Sequence, residues 1–329
     1  MDPLHPTMNH HNLTSTVERK FVQLQYLGTL TLCPGYCGRI ATPDNLLSEC
    51  MACPRGTRAS QKNSLCEPCQ DFLTPYAWMY LAFMAALPLI FHLTVIDMIF
   101  RKWRRKSYVI LQLSALLEAA ASAVITMAFF RKDDQFRMRF CGADRLADWY
   151  SVFHNPKPDY IHTLNCSQEV VYPLYSVVFV YYFLSLLLML ICRGVSAKWS
   201  WNGMARNALL GGLYQYPVLL AVHAGCAGLL YFIFPYVTII AASVTSAMHC
   251  SLIKKQTLWE ILKGLFSSIH SVIVVVAHWI LLGFGVLAIY YKDSVVDILK
   301  IAPSVLAPLI IYLVTFRLTD PKKYYDHFE

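Results

Sequence analysis

The feature that most constrains this chain is a succession of apolar runs about 20 residues long, separated by short segments in which the Lys and Arg residues gather. A run of that length is what an α-helix needs to cross a hydrocarbon core of roughly 30 Å, where every backbone N–H and C=O must be satisfied within the segment itself. The expected fold is therefore an all-α polytopic membrane protein. Seven such runs can be placed, at 76–100, 108–130, 170–192, 208–231, 235–253, 271–291 and 298–316. The fourth and fifth come from one apolar tract, 208–253, that is too long for a single crossing. The expected break is Phe234-Pro235, because proline has no N–H with which to continue a helix. The last run is short and carries Lys300, whose ammonium must reach the head groups along its apolar stem.

Composition narrows the classes further. With 57% apolar, 14% aromatic and 15% charged residues, the chain is too apolar for a soluble two-domain protein, and 20 Tyr with 18 Phe exclude disordered and collagen-like chains. A net charge of +8 would elsewhere suggest nucleic acid, but these cations flank the apolar runs. They are expected to meet membrane lipids and to set orientation instead, and no nucleic-acid partner is expected. Fourteen Lys and Arg lie in segments 101–107, 193–207, 254–270 and 317–329, against six in the 131–169 loop. The densest cluster, Arg101 to Lys106, directly follows the first span. This asymmetry predicts a luminal or extracellular N-terminus and a cytosolic C-terminus. The early apolar run Phe21 to Leu32 is interrupted by Gln23 and Gln25, so the first span is expected to translocate its own N-terminus. The organisation that follows is an N-terminal extension (1–32), a cysteine-rich luminal head (33–70), a seven-helix membrane domain (71–316) with a luminal loop at 131–169, and a cytosolic tail (317–329).

Six of the eleven cysteines fall in the head, as Cys33-x3-Cys37-x12-Cys50-x2-Cys53-x12-Cys66-x2-Cys69. The intervening residues are too polar to build a core, so the head needs a covalent or metal staple. The paired Cys-x2-Cys units resemble zinc knuckles. Disulfides are preferred, because a head outside the cytosol lies in an oxidising compartment, and no bound metal is expected. Cys141 and Cys166 bracket the 131–169 loop, and a bridge between them would close it; two free thiols are the alternative. Two N-x-[ST] sequons, at Asn12 and Asn165, fall on the same expected side and are glycosylation candidates.

Within the spans, Glu118 stands among Leu116, Leu117, Ala119 and Ala120, and Asp97, His92, His223, His249 and His278 are further polar residues. A carboxylate at that depth must face the bundle interior. Glu118 and His278 could form a proton relay or a catalytic pair, but buried structural hydrogen bonding is the preferred reading. The chain carries no H-E-x-x-H, G-x-S-x-G or P-loop pattern. No catalytic residues, enzymatic activity or cofactor are expected. Arg104-Arg105-Lys106 followed by Ile110, Leu111 and Leu113 has the form of a kinase-docking peptide, but the apolar half lies inside the second span.

Several stretches resemble one family. They are Glu49 to Thr57 with Cys66-Glu67-Pro68-Cys69, Asp148-Trp149-Tyr150 with Asn155 to Tyr160, Val171 to Tyr175 leading into Phe179 to Tyr182, Phe234-Pro235-Tyr236, and His278-Trp279. In combination they are similar to the c-Jun N-terminal kinase-associated membrane protein family over roughly residues 33 to 320. The N-terminus before Cys33 and the segment after Asp320 do not match. The resemblance implies a multi-pass endoplasmic-reticulum scaffold. It would recruit proteasomes, ubiquitin ligases and the degradation machinery for misfolded-protein clearance, and bind a stress kinase, the c-Jun N-terminal kinase. The alternative from topology is a seven-helix receptor with a ligand-binding head. Against it, the third span does not end in Asp-Arg-Tyr, and Cys141 and Cys166 share one loop.

Overall fold

The computed structural model describes residues 32–316 apart from 36, 42–45, 55, 70, 101–105, 131–137, 151–165, 167–171, 200–203, 254–256, 292–299 and 301. Asn12, Asn165 and the tail 317–329 lie outside the described residues.

The head opens on an antiparallel hairpin, β1 (Thr57–Ala59) with β2 (Cys66–Pro68), in which Arg58 stands opposite Glu67. Disulfides Cys33–Cys50 and Cys53–Cys66 supply the cohesion that so few apolar residues cannot. Gly38 is required where it stands, since a Cβ there would lie 2.3 Å from Cys53 Sγ and 2.5 Å from Cys66 Sγ. The other two disulfides leave the head, joining Cys37 to Cys166 and Cys69 to Cys141. Neither reading of Cys141 and Cys166 holds, a bridge between them or two free thiols, and the strands explain why. β3 (Asp71–Phe72) pairs antiparallel with β4 (Arg139–Phe140), with Asp71 opposite Phe140. That register carries residue 141 to the side of residue 69, and Arg58 Nη1 donates to the Cys141 carbonyl at 3.1 Å. Each loop cysteine thus meets a head cysteine.

Among the described residues seven α-helices follow: α1 (Pro75–Phe100), α2 (Lys106–Phe129), α3 (Tyr172–Trp199), α4 (Met204–Ser251), α5 (Leu258–Leu265), α6 (Ile269–Ile289) and α7 (Ala307–Thr315). Five of them, α1 to α4 and α6, are long and apolar enough to cross a membrane. Their outward faces are apolar as well as their inward ones: Leu117 is 70% exposed, Val124 68% and Ile280 65%. Helices in water turn charge outward; these turn hydrocarbon outward, as a lipid solvent requires.

The count differs from the expected seven in two places. The tract 208–253 does not break at Phe234-Pro235, because α4 runs unbroken for 48 residues through Pro217 and Pro235. Among the described residues the last run holds a 3-10 turn (Ala302–Leu306) and α7, together an apolar stretch of 14 residues, fewer than the about 20 that a crossing takes. Pro303 and Pro308 lack the N–H groups that regular helix needs, and they fall in that stretch's first half.

How α4 passes a proline is visible in its neighbours. Pro235 cannot donate to the carbonyl of Tyr231, and Tyr76 Oη of α1 donates to that carbonyl instead, at 2.8 Å. The same device recurs in α1. Pro88 leaves the Met84 carbonyl without its helical donor, and Tyr182 Oη of α3 fills the vacancy at 3.1 Å while Tyr181 Oη donates to Ala85 O at 3.0 Å. Interhelical tyrosines thus repair the backbone at two of the three intrahelical prolines, a requirement set by the absence of water in the core. Tyr182→Phe keeps the packing and removes the donor, so we expect a loss of about 1 kcal/mol. Thermal unfolding in mild detergent measures it, and an unchanged midpoint would show that the Met84 carbonyl does not need the bond.

Candidate functional site

The bundle buries one extended polar cluster, contributed by four helices. Glu118 of α2 is ion-paired to Arg193 of α3, with Nε 3.1 Å from Oε2 and side chains only 4% and 1% exposed. Ser114, one turn before Glu118, donates its hydroxyl to Oε1 at 2.5 Å. Arg193 Nη1 lies 3.3 Å from His92 Nδ1 on α1. Arginine has donors only, so Nδ1 accepts and the ring hydrogen sits on Nε2. That nitrogen is 3.2 Å from Tyr216 Oη of α4, which is 2.5 Å from Ser185 Oγ of α3. Beside the ring, Gln215 Nε2 donates to the Pro88 carbonyl at 3.3 Å.

Local sequence explains the convergence. Ser114 and Glu118 are four apart on α2, Gln215 and Tyr216 are adjacent on α4, and Ser185 lies about two turns before Arg193 on α3, so each helix presents its polar atoms inward. Gly212 lets α4 approach, because a Cβ there would fall 2.7 Å from His92 Cε1 and from Met189 Sδ. The cluster sits in the half of the bundle away from the head. Sixteen residues of α1 separate His92 from the Tyr76 level, or about 24 Å, and Ile96, Phe100, Tyr108, Leu111 and Ala208 close it from the far side.

Chemically the cluster neutralises its carboxylate without satisfying every member. The carboxylate is neutralised by a guanidinium and bonded to a hydroxyl, and His92 and Tyr216 donate to or accept from one another and their neighbours. Arg193 Nη2 and Gln215 Oε1 are the members left without a partner. Among the described residues of the cluster no nucleophile stands beside a free base. The small apolar cavity among α1, α2 and α3 offers only Thr126 and Tyr181 as polar lining, and both hydroxyls are already given to backbone carbonyls, of Ser122 and Ala85. Among the described residues no three His, Cys, Asp or Glu side chains gather as a metal site.

The sequence-derived candidates scatter accordingly. Glu118 is buried in the interior, but its partners are Ser114 and Arg193. His278 stands on α6, outside the cluster, and is not joined to Glu118. His223 contacts the Tyr175 carbonyl at 3.1 Å on the head side, and Asp97 accepts from Tyr108 Oη at 3.0 Å. By sequence Arg193 falls in the connecting segment 193–207, among the cations that set orientation. It is instead an interior residue, since α3 continues to Trp199. The available signal is charge balance: a carboxylate in a span demands a cation, and Arg193 stands at the edge of the third span.

A family model described as "JNK1/MAPK8-associated membrane protein" matches residues 33–321. The Homo sapiens "JNK1/MAPK8-associated membrane protein" is 32% identical over 296 residues, covering 88% of this chain and 93% of that one. Its Mus musculus counterpart is 33% identical over the same length and coverage. A Caenorhabditis elegans homolog is 28% identical over 309 residues, covering 88% and 94%. No solved structure matches the chain.

Proposed function

The chain belongs to the family of JNK1/MAPK8-associated membrane proteins, and from that premise we propose that it is a non-enzymatic adaptor of the endoplasmic-reticulum membrane. In this reading the cysteine-rich head lies in the lumen and the tail 317–329 in the cytosol, on opposite sides of the membrane. The exposed cytosolic segments bind a c-Jun N-terminal kinase and recruit proteasomes, ubiquitin ligases and other degradation components for clearance of misfolded proteins. The observation that carries the proposal is the pairing of the one carboxylate in the interior polar cluster. A Glu118 that is spent on Arg193 and Ser114 supports packing and offers nothing to a substrate, so function is assigned to surfaces that soluble partners can reach. Four disulfides support a head in an oxidising compartment. The second half of α4 packs on α6, where Gly285 abuts Ile239 and the Pro235 carbonyl.

Affinity isolation from mild-detergent membranes tests the reading. Neutralising Lys322 and Lys323 in the tail is expected to weaken co-isolation of proteasome and ligase subunits. Glu118→Gln, compared at matched abundance because destabilised membrane proteins are cleared, is expected to leave recruitment intact. Recovery of a G protein in place of degradation components would favour the seven-helix receptor. Loss of activity in a folded, inserted Glu118→Gln protein with normal tail variants would favour an intramembrane enzyme or a proton-coupled transporter.

A further inference from the structure

Between the long helix α4 and α6 hangs α5, eight residues whose start is capped by Thr257 Oγ1 accepting from the Glu260 N–H. At about 100° per residue its surface divides into three sectors. Ile261 and Leu265 face the protein, packed with Cys250, Val275 and Tyr312. The next sector round carries Leu258 and Trp259, 51% and 74% exposed, and Phe266 at the C-cap continues it at 59%. Beyond Trp259 come Lys263 and Glu260. An apolar arc of roughly 160° is therefore only half covered by protein, and a charged edge borders the uncovered half.

Position identifies what covers it. α4 ends at Ser251 and α6 begins at Ile269, and the two pack side by side in antiparallel fashion, so their near ends lie at one membrane face. Connectors of six residues (252–257) and three residues (266–268) hold α5 to that face. The uncovered sector is continuous with the lipid-facing strip on either side, where Met248 and Leu252 are 59% and 69% exposed and Ile269 and Ile273 82% and 61%. Tryptophan is the residue most suited to the head-group level, with an apolar ring and one hydrogen-bond donor.

We propose that α5 is a membrane-surface helix whose ligand is the bilayer itself. Leu258, Trp259 and Phe266 enter the boundary between head groups and acyl chains, and Lys263 and Glu260 remain in water. The helix thereby anchors the turn between α4 and α6, and it withdraws the apolar half of segment 254–270 from protein partners, leaving them the charged edge.

A photoreactive benzoylphenylalanine placed at Trp259 of the full chain in microsomes, and in a separate variant at Lys263, decides this. The expected result is phospholipid adducts at position 259 and their loss at position 263. Adducts from position 259 to a protein, whether a partner or a second copy, would overturn the proposal, as would a folded variant that yields no lipid adduct at 259. Folding is judged by intact head disulfides on non-reducing peptide mapping and by monodispersity in detergent. Should the 259 variant misfold, the same probe at Phe266 carries the test with the same two outcomes.

Discussion

Replacing Arg193 by Met on its own is expected to cost about 3–5 kcal/mol, the range for removing one member of a buried ion pair and leaving its partner's charge uncompensated. Glu118→Leu is expected to fall in the same range, since it leaves a guanidinium 1% exposed between α1, α2 and α3. The double replacement, Glu118→Leu with Arg193→Met, should recover most of the loss. Two apolar side chains of similar volume carry no desolvation penalty, and exchanging a whole buried pair for hydrophobic residues is often neutral. The cycle is read from unfolding of purified protein in mild detergent, with steady-state abundance as a second readout. Additive losses in the double variant would show that Glu118 and Arg193 act independently, contrary to the 3.1 Å contact. Ser114 refines the expectation: Ser114→Ala removes one donor to a carboxylate still held by Arg193, and should cost far less than either charge removal.

The second large effect lies in the head. Non-reducing peptide mapping is expected to return four pairs, Cys33–Cys50, Cys37–Cys166, Cys53–Cys66 and Cys69–Cys141. Two of them are local, with separations of 17 and 13 residues, and two tie the head to the segment between α2 and α3 across 129 and 72 residues. Cys166→Ser should free one alkylatable thiol, at Cys37, and Cys141→Ser one thiol, at Cys69. Each should destabilise the head by about 2–4 kcal/mol and raise its sensitivity to protease. The membrane helices enclosed by the long bridges already hold their ends together, so the loss should stay below the bare-chain value for such loops. Recovery of a Cys141–Cys166 peptide would refute the register of β3 on β4. Stoichiometric zinc on Cys50, Cys53, Cys66 and Cys69 would refute three of the four pairs.

The parts of the fold that were legible in the sequence are those fixed by one solvent acting on one segment at a time. A run such as Val272 to Ile289 is helical and membrane-embedded whatever its neighbours do, because hydrocarbon offers its backbone no other partner. The head's dependence on cysteine was legible for a similar reason: residues 33–70 hold too little apolar surface to stand alone. Illegible were features that depend on a second element. Phe234-Pro235 read as a break because the donor that replaces the missing N–H, Tyr76, lies 155 residues away in α1. Cys141 and Cys166 read as a pair because they share a loop, whereas β3 on β4 hands each to a different head cysteine.

By itself, then, the sequence determined the solvent of each segment, the helical character of the apolar runs, the covalent needs of the head and the family to which residues 33–321 belong. The tertiary structure alone decided which polar group answers which. It took Arg193 out of a supposed loop and set it against Glu118, gave His92 rather than His278 a place beside them, and routed two disulfides out of the head. The physical reason is that lipid strongly penalises any unpaired charge or backbone group but is indifferent to which neighbour relieves it, so the choice rests with helix contacts that join residues distant in the chain.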